Sequence, residues 1–372
     1  MEKAWSFEKR CKGLYFLFDV LYFPIMNKKD FYSLLQAVPK AEIHIHSEAV
    51  ISRNTVKKLY QECNGTSMTD ADVKNLFSYN DLGGFIGSFL KIQSYFTKTS
   101  DFDLVFNDFS KYLDDNNIVY CETFFSPTSF LKKGFSFSDM MNTVSKSIER
   151  IKAKQNRIIK VLIDVSRTFG EENAQHNLDL ILKEKNKDII GIGLGGDEAK
   201  GPAKEYANVF QNAKKAGLHV VAHAGEDVDS WSIKDAINLL GVERIGHGIT
   251  AVNDEPLIAE LAKTKLPLEI CPTSNTFTKK IVSRMEDHPV RKLFDKGVFV
   301  TINTDDPTFF GASLIDEYWN LYDKLSFSLE EIEQLILNGF NACFISDSEK
   351  KTYCTAAKEA WSNWMSAHPA AC

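Results

Sequence analysis

Ala41-Glu-Ile-His-Ile-His46 reads as a short β-strand. A helix over residues 30–38 precedes it, with Phe31, Leu34, Leu35 and Val38 on one face, and Pro39 stops that helix. On the strand, His44 and His46 are two residues apart. Alternate residues of a strand point to one face, so both imidazoles enter the same space. Two neutral imidazoles held this way are natural zinc ligands. Taken alone, an H-x-H is also read as two surface or core histidines.

Working outward, similar apolar or β-branched runs recur at residues 118–125, 158–165, 189–194, 218–223, 244–247, 266–271 and 298–304. A long helical region, residues 52–116, separates the first two runs. Helical patterns separate most of the others, and a polar helical tail follows from about Ser313. There is no internal repeat. Alternation of this kind marks βαβ units and a parallel sheet. Eight strands imply an α/β fold, a (β/α)8 TIM barrel, with the helical insertion after strand 1 covering the active site. In such a barrel the active site lies at the C-terminal ends of the strands. His44, His46, Asp197, Glu198, His223, His247, Asp305 and Asp306 all fall at those ends.

Composition is consistent with that reading. Of 372 residues, 44% are hydrophobic and 25% charged, ordinary values for a globular protein. The net charge is -6, and no long basic run is present, which argues against nucleic acid or an anionic membrane as partner. Cys11, Cys63, Cys121, Cys271, Cys343, Cys354 and Cys372 are scattered without a C-x-x-C pair. They suit a reducing compartment rather than a disulfide framework. Lys3, Lys9 and Arg10 precede an apolar run over residues 13–23 that faintly resembles a secretory signal. Asp19 interrupts the run, Pro24 follows it, and it is too short to span a bilayer. The expectation is a cytoplasmic protein: a dispensable extension over residues 1–25, with Met26 an alternative start, then one domain over residues 26–372.

His223 ends the fifth run within Ala222-His-Ala-Gly-Glu226, and Asp305 ends the eighth within Asn303-Thr-Asp-Asp-Pro307. Three histidines and a carboxylate, His44, His46, His223 and Asp305, make a plausible zinc shell with room for water. Singly, His223 also reads as a satisfied core histidine, and Asp305 with Asp306 as a helix cap before Pro307. Zinc lowers the pKa of water near neutrality. Attack on an aromatic C–N carbon then needs a proton delivered to the ring nitrogen. Glu226 can deliver it if burial holds the carboxyl protonated. His247 can orient the nucleophile or move protons, and Asp306 can accept from the nucleophile or bind the ring. Gly246 and Gly248, and Gly193 to Gly196, would let substrate approach the backbone.

The stretches PKAEIHIHSEAV, GIGLGGDE, VVAHAGED, RIGHGI, LEICPTSN and VTINTDDP resemble, in order and spacing, the adenosine deaminase family of the amidohydrolase superfamily, from about residue 30 to 345. The resemblance implies one zinc ion per chain on His44, His46, His223 and Asp305, a proton donor at Glu226 and a nucleophile-orienting base at His247. Asp306 would bind the purine N7 and the nucleophile, and Gly196 would give a backbone N–H to N3. His46 and Glu48 would also face the substrate. Leu82, Phe85, Ile86 and Phe89 match the family's apolar covering helix, although the same spacing describes any amphipathic core helix.

Two departures concern the sugar side. The family's usual H-x-H-x-D is here His44-Ile-His-Ser-Glu48. That acidic position meets the ribose 5′-hydroxyl in adenosine-specific members, while members acting on free adenine often carry Glu. Many adenosine-specific members also place Arg near Phe124. The unrelated nucleobase-deaminase pattern H-x-E…P-C-x-x-C is absent, as is a lysine placed to bridge two metals. The expected partner is a small-molecule purine nucleoside or base. The first expectation is deamination of adenosine or 2′-deoxyadenosine. Adenine or 6-aminodeoxyfutalosine is the alternative within the same chemistry. A non-catalytic purine-binding or signalling relative is the alternative of another class.

Overall fold

The eight runs form eight parallel strands in a single sheet of order β1-β2-β3-β4-β5-β6-β7-β8. They are β1 (Lys40–His46), β2 (Ile118–Phe125), β3 (Ile158–Asp164), β4 (Ile189–Leu194), β5 (His219–Ala224), β6 (Arg244–His247), β7 (Leu268–Ile270) and β8 (Val300–Ile302). The structure, a computed structural model, describes residues 26–79, 81–278 and 281–371. The expected extension over residues 1–25 lies outside the described residues. Among the described residues no helix is long and apolar enough to cross a membrane.

The sheet closes where β8 meets β1, with a parallel bridge between Ile45 and Asp305. His46 N–H donates to the Asp305 carbonyl at 2.9 Å, and Asp305 N–H to the His44 carbonyl at 3.0 Å. Side chains complete the seam. Asn303 Oδ1 accepts from Ile43 N and His44 N at 3.0 and 3.1 Å, and Glu42 Oε1 accepts from Thr304 N at 2.9 Å. Buried backbone donors need such partners where a ladder is incomplete. The bonds also fix the metal-ligand candidates of the first and last strands against each other.

Strands buried on both faces read as near-continuous apolar runs. On the outer face they pack against the helices in one large cluster that includes Ile43, Ile192 and Ile302. Inside the barrel, Phe124, Leu162 and Val221 form a separate small cluster.

After β1 the chain resolves into several helices rather than one. α1 (Lys28–Ala37) precedes β1. α2 (Arg53–Asn64), α3 (Asp70–Leu76), α4 (Leu82–Gln93) and α5 (Asp101–Asp115) lie between β1 and β2. Gly65 ends α2 in the left-handed region at φ 69°, and capping side chains on Thr69 and Asp81 start α3 and α4. The tail is less polar in its role than its composition implies. Its helix Leu329–Ala342 buries Ile332, Leu335, Ile336 and Phe340 and lies on β1 and β8, so it backs the closing seam.

Candidate active site

The C-terminal ends of the strands bring the expected metal ligands together. One ligand atom from each of His44, His46 and Asp305 lies within 4.8 Å of the others, and the same holds for His44, His223 and His247. Asp305 Oδ1 is 3.2 Å from His46 Nε2 and 3.5 Å from His44 Nε2. Ser274 Oγ donates to the second Asp305 oxygen at 2.7 Å. His44 Nε2 and His223 Nε2 are buried without a hydrogen-bond partner. Buried polar atoms normally have one, so orphaned imidazole nitrogens beside a carboxylate are the signature of a cation site. Three nitrogens and one oxygen match what zinc takes. His44 Nδ1 lies 2.6 Å from Glu269 Oε2, which leaves Nε2 as the atom available to a metal.

Burial opposes charge on His44, but the carboxylates of Asp305 and Glu269 reverse this and bring it up to about 9. Burial would raise Asp305, yet its close approach to the imidazoles of His44 and His46 holds it well below the usual carboxylate range. Burial first, with the charges of His44 and His46 and against the opposing pull of Asp305, drives His247 down to about 3, and burial with the neighbouring imidazoles lowers His223 well below its ordinary value. Both rings are therefore neutral near pH 7.

Glu226 is 6% exposed. Burial first, then the charges of Asp305 and Glu198, pushes its carboxyl well above the usual range. That direction favours the protonated form, the one a proton donor at this position would need. Its backbone is fixed by Glu198, which accepts from Gly225 N and Glu226 N, both at 2.8 Å, and from Ser232 Oγ at 2.6 Å. His247 Nε2 lies 3.5 Å from Glu226 Oε2 and 3.2 Å from His223 Nδ1, and Asn275 Nδ2 lies 3.1 Å from His247 Nδ1. Asp306 is raised well above its ordinary value by burial and by Asp305 beside it. A cation held by Asp305 would relieve that repulsion and lower the carboxyl again, so that Asp306 could stand ionised and accept a proton. His247 and Asp305 both sit in the left-handed region, at φ 62° and 64°, a strained geometry that aims side chains at sites.

A cavity opens in front of these groups. His46, His223, Glu226, Asp305, Asp306 and Gly196 line its inner end. Leu82, Phe85, Ile86 and Phe89 of α4 form its apolar wall. Only Ile92 and Gln93 of α4 are buried, so this helix is a cover and not a core element. Phe310, 5.1 Å from Phe85 between ring centroids, ties the cover to the segment after β8. Gly196 has φ 95°, and a Cβ there would meet Thr168 Oγ1 at 2.9 Å. Gly195 and Gly196 do border the cavity, but Gly246 serves another purpose than substrate approach. A Cβ on it would come within 2.6 Å of His44 Cε1 and 3.2 Å of His223 Cα. The glycine makes room for His44 and His223. Gly193 likewise admits the Phe124 ring, and Gly248 packs on Leu268.

A family model described as adenosine deaminase matches residues 39–359. The chain belongs to the adenosine deaminase family. As such it is a hydrolytic deaminase acting on a purine amino group. Its relatives include an adenine deaminase of Vibrio parahaemolyticus, 32% identical over 324 residues, covering 86% of this chain and 95% of that one. Another is an adenine deaminase of Acinetobacter baylyi, 32% identical over 331 residues, covering 88% and 98%. The crystal structure of adenine deaminase from Arthrobacter aurescens superposes with a TM-score of 0.82 at 27% identity, covering 87% of this chain and 98% of that one.

Not every residue expected from the family faces the cavity. Glu48 is 3% exposed and does not line it. Its oxygens accept from Ser126 N at 2.9 Å and Ser47 Oγ at 2.9 Å, with Gln93 Nε2 at 3.5 Å. His44 and His247 stand behind the cavity wall rather than in it. Conversely, the sequence reading missed Gln93, Ser126, Asp164 and Thr168, which line the cavity. Asp164 ends β3, a position whose chemistry was legible. It accepts from Ser126 Oγ, Ser166 N and Gly195 N at 2.9, 2.9 and 3.0 Å.

Proposed function

We propose that this 6-aminopurine deaminase acts on free adenine, giving hypoxanthine and ammonia, with one zinc ion per chain. The observation that carries this is the placement of Glu48. The acidic side chain that would meet a ribose 5′-hydroxyl is turned to internal donors and contributes no surface to the cavity. A site built for a sugar hydroxyl would keep that acceptor open, because a buried polar group without its partner is costly. The adenine deaminases at 32% identity support the same substrate. Adenosine and 2′-deoxyadenosine, the first expectation from sequence, are thus less well supported than its alternative. Among the described residues, Asp164, Glu226, Asp305 and Asp306 line the cavity and no lysine or arginine does, which disfavours a phosphorylated substrate.

His44, His46, His223 and Asp305 would hold zinc, which supplies Lewis-acid activation of water. The residues around it do the rest. Glu226 gives its proton to the ring nitrogen next to the carbon that bears the amino group. Asp306 takes a proton from the attacking water as the C–O bond forms, and His247 orients that water. Asp306 passes its proton to the amino group as the C–N bond breaks and ammonia leaves, and the hydroxyl proton returns to Glu226 as the C=O forms, so water and a 6-aminopurine yield a 6-oxopurine and ammonia with both carboxyls restored. The apolar wall from α4 keeps bulk water off the ring.

The test is a panel of adenine, adenosine, 2′-deoxyadenosine and 6-aminodeoxyfutalosine, followed by loss of the adenine-ring absorbance. Adenine should show the highest kcat/KM. Adenosine in first place would overturn the sugar-side reading, and no turnover at all would overturn the assignment of chemistry. Elemental analysis should find about one zinc per chain.

A further inference from the structure

We infer that Arg244 and Glu122, at the barrel end remote from the cavity, hold the metal-ligating ring of His44 in place through Glu269. The inference rests on reading His44 as a metal ligand. A line of short polar contacts runs down the barrel from that ring. Glu269 Oε2 is 2.6 Å from His44 Nδ1, and Glu269 Oε1 is 2.6 Å from Arg244 Nε, an ion pair outside hydrogen-bond geometry. Arg244 Nη1 donates to Glu122 Oε2 at 2.6 Å and to the Ala342 carbonyl at 2.9 Å. Glu122 Oε1 accepts from Phe344 N at 2.6 Å and from the Tyr120 hydroxyl at 3.1 Å. The Phe344 ring covers the guanidinium, 3.7 Å from Cζ, and stacks on His219 at 3.9 Å. Glu122, Arg244 and Glu269 are at most 1% exposed.

Stability is a weak reason for this arrangement. Buried ion pairs are often no better than apolar side chains of equal volume, and the same barrel interior uses Phe124, Leu162 and Val221 in its apolar cluster. What the charged line supplies is direction. One oxygen of Glu269 meets His44 Nδ1 and the other is drawn by charge to Arg244, so the guanidinium restrains the carboxylate and, through it, the His44 ring. Arg244 in turn is pinned by Glu122 and by the segment that follows the helix Leu329–Ala342. Arg244 and Glu122 border neither the cavity nor the ligand cluster, so they are positioning residues.

Zinc affinity, by competition with a chelator, and thermal unfolding of the zinc-free protein are measured for wild type, Glu122→Gln, Arg244→Lys and Phe344→Leu. Glu122→Gln and Arg244→Lys are expected to weaken zinc binding about 10- to 100-fold, and Phe344→Leu several-fold. A packing role alone would lower the unfolding temperature and leave zinc affinity within about twofold of wild type, which overturns the inference. Phe344→Leu breaks no hydrogen bond. If the buried-charge variants fail to fold, unchanged zinc affinity in this variant overturns the inference by itself. Wild-type protein without measurable zinc affinity is a separate failure, that of the metal-centre reading.

Discussion

Single side chains carry the chemistry, and two substitutions test it. Glu226→Gln keeps size and burial but removes the deliverable proton. Turnover should fall by about 10²- to 10⁴-fold with zinc content unchanged, measured by steady-state kinetics and elemental analysis. Full activity in that variant would remove Glu226 from its role. Gly246→Ala should displace the His44 ring and cost the protein its zinc, because the new methyl falls 2.6 Å from His44 Cε1. The matched control is Gly87→Ala on α4, where a Cβ meets nothing within 4 Å. Equal zinc content in the two variants would contradict the packing argument. At this scale the histidines and aspartates of the site were legible, because each ends an apolar run and few neutral readings fit all of them. Glu269 and Glu122 were not, since a carboxylate inside a short strand carries no mark of whether it faces ring, solvent or counter-ion. Glu48 was legible as a residue but not in its orientation, which Ser126 and Gln93 decide from far away in sequence.

Among the elements, α4 is the one whose amphipathic pattern left its task open. Its apolar face lines the cavity, so Phe89→Ala should weaken substrate holding more than chemistry. KM for adenine should rise roughly tenfold with kcat little changed, given about 1.5–3 kcal/mol for a fully buried aromatic ring. A fall in kcat at constant KM would instead place Phe89 in transition-state positioning. The strands β2, β4 and β6 begin and end where the apolar runs do. β7 and β8 are shorter than their runs because only their middle residues find ladder partners, while Asn303 and Thr304 bond to β1 through side chains. No local pattern encodes such a seam. The breaks between α2, α3 and α4 follow from Gly65, Thr69 and Asp81, residues visible in the sequence but outweighed there by the length of the helical region.

For the whole molecule, the pH dependence of stability has a definite sign at Glu317, on the helix Leu314–Leu325. Its oxygens accept from Thr273 N at 3.1 and 3.2 Å, and burial raises its pKa from 4.5 to about 8. Between those values the folded protein binds a proton that the unfolded chain has lost. Stability from this group is therefore full below about pH 4.5, falls as pH rises, and levels off above about 8, with a slope of at most about 1.4 kcal/mol per pH unit. Urea unfolding across that range should show a shallower decline in Glu317→Gln than in wild type. Parallel curves would mean that Glu317 is ionised in the folded state. The closing seam has a further consequence for biosynthesis. Asp305 is both the last of the proposed metal ligands in chain order and the residue whose backbone clasps β1. A nascent chain stalled before it exposes His44 and His46 on an open strand edge with no carboxylate to complete their coordination. On the proposed ligand set, full metal capture would wait until the polypeptide is nearly finished, and truncated translation products would hold the ion less well than the whole chain.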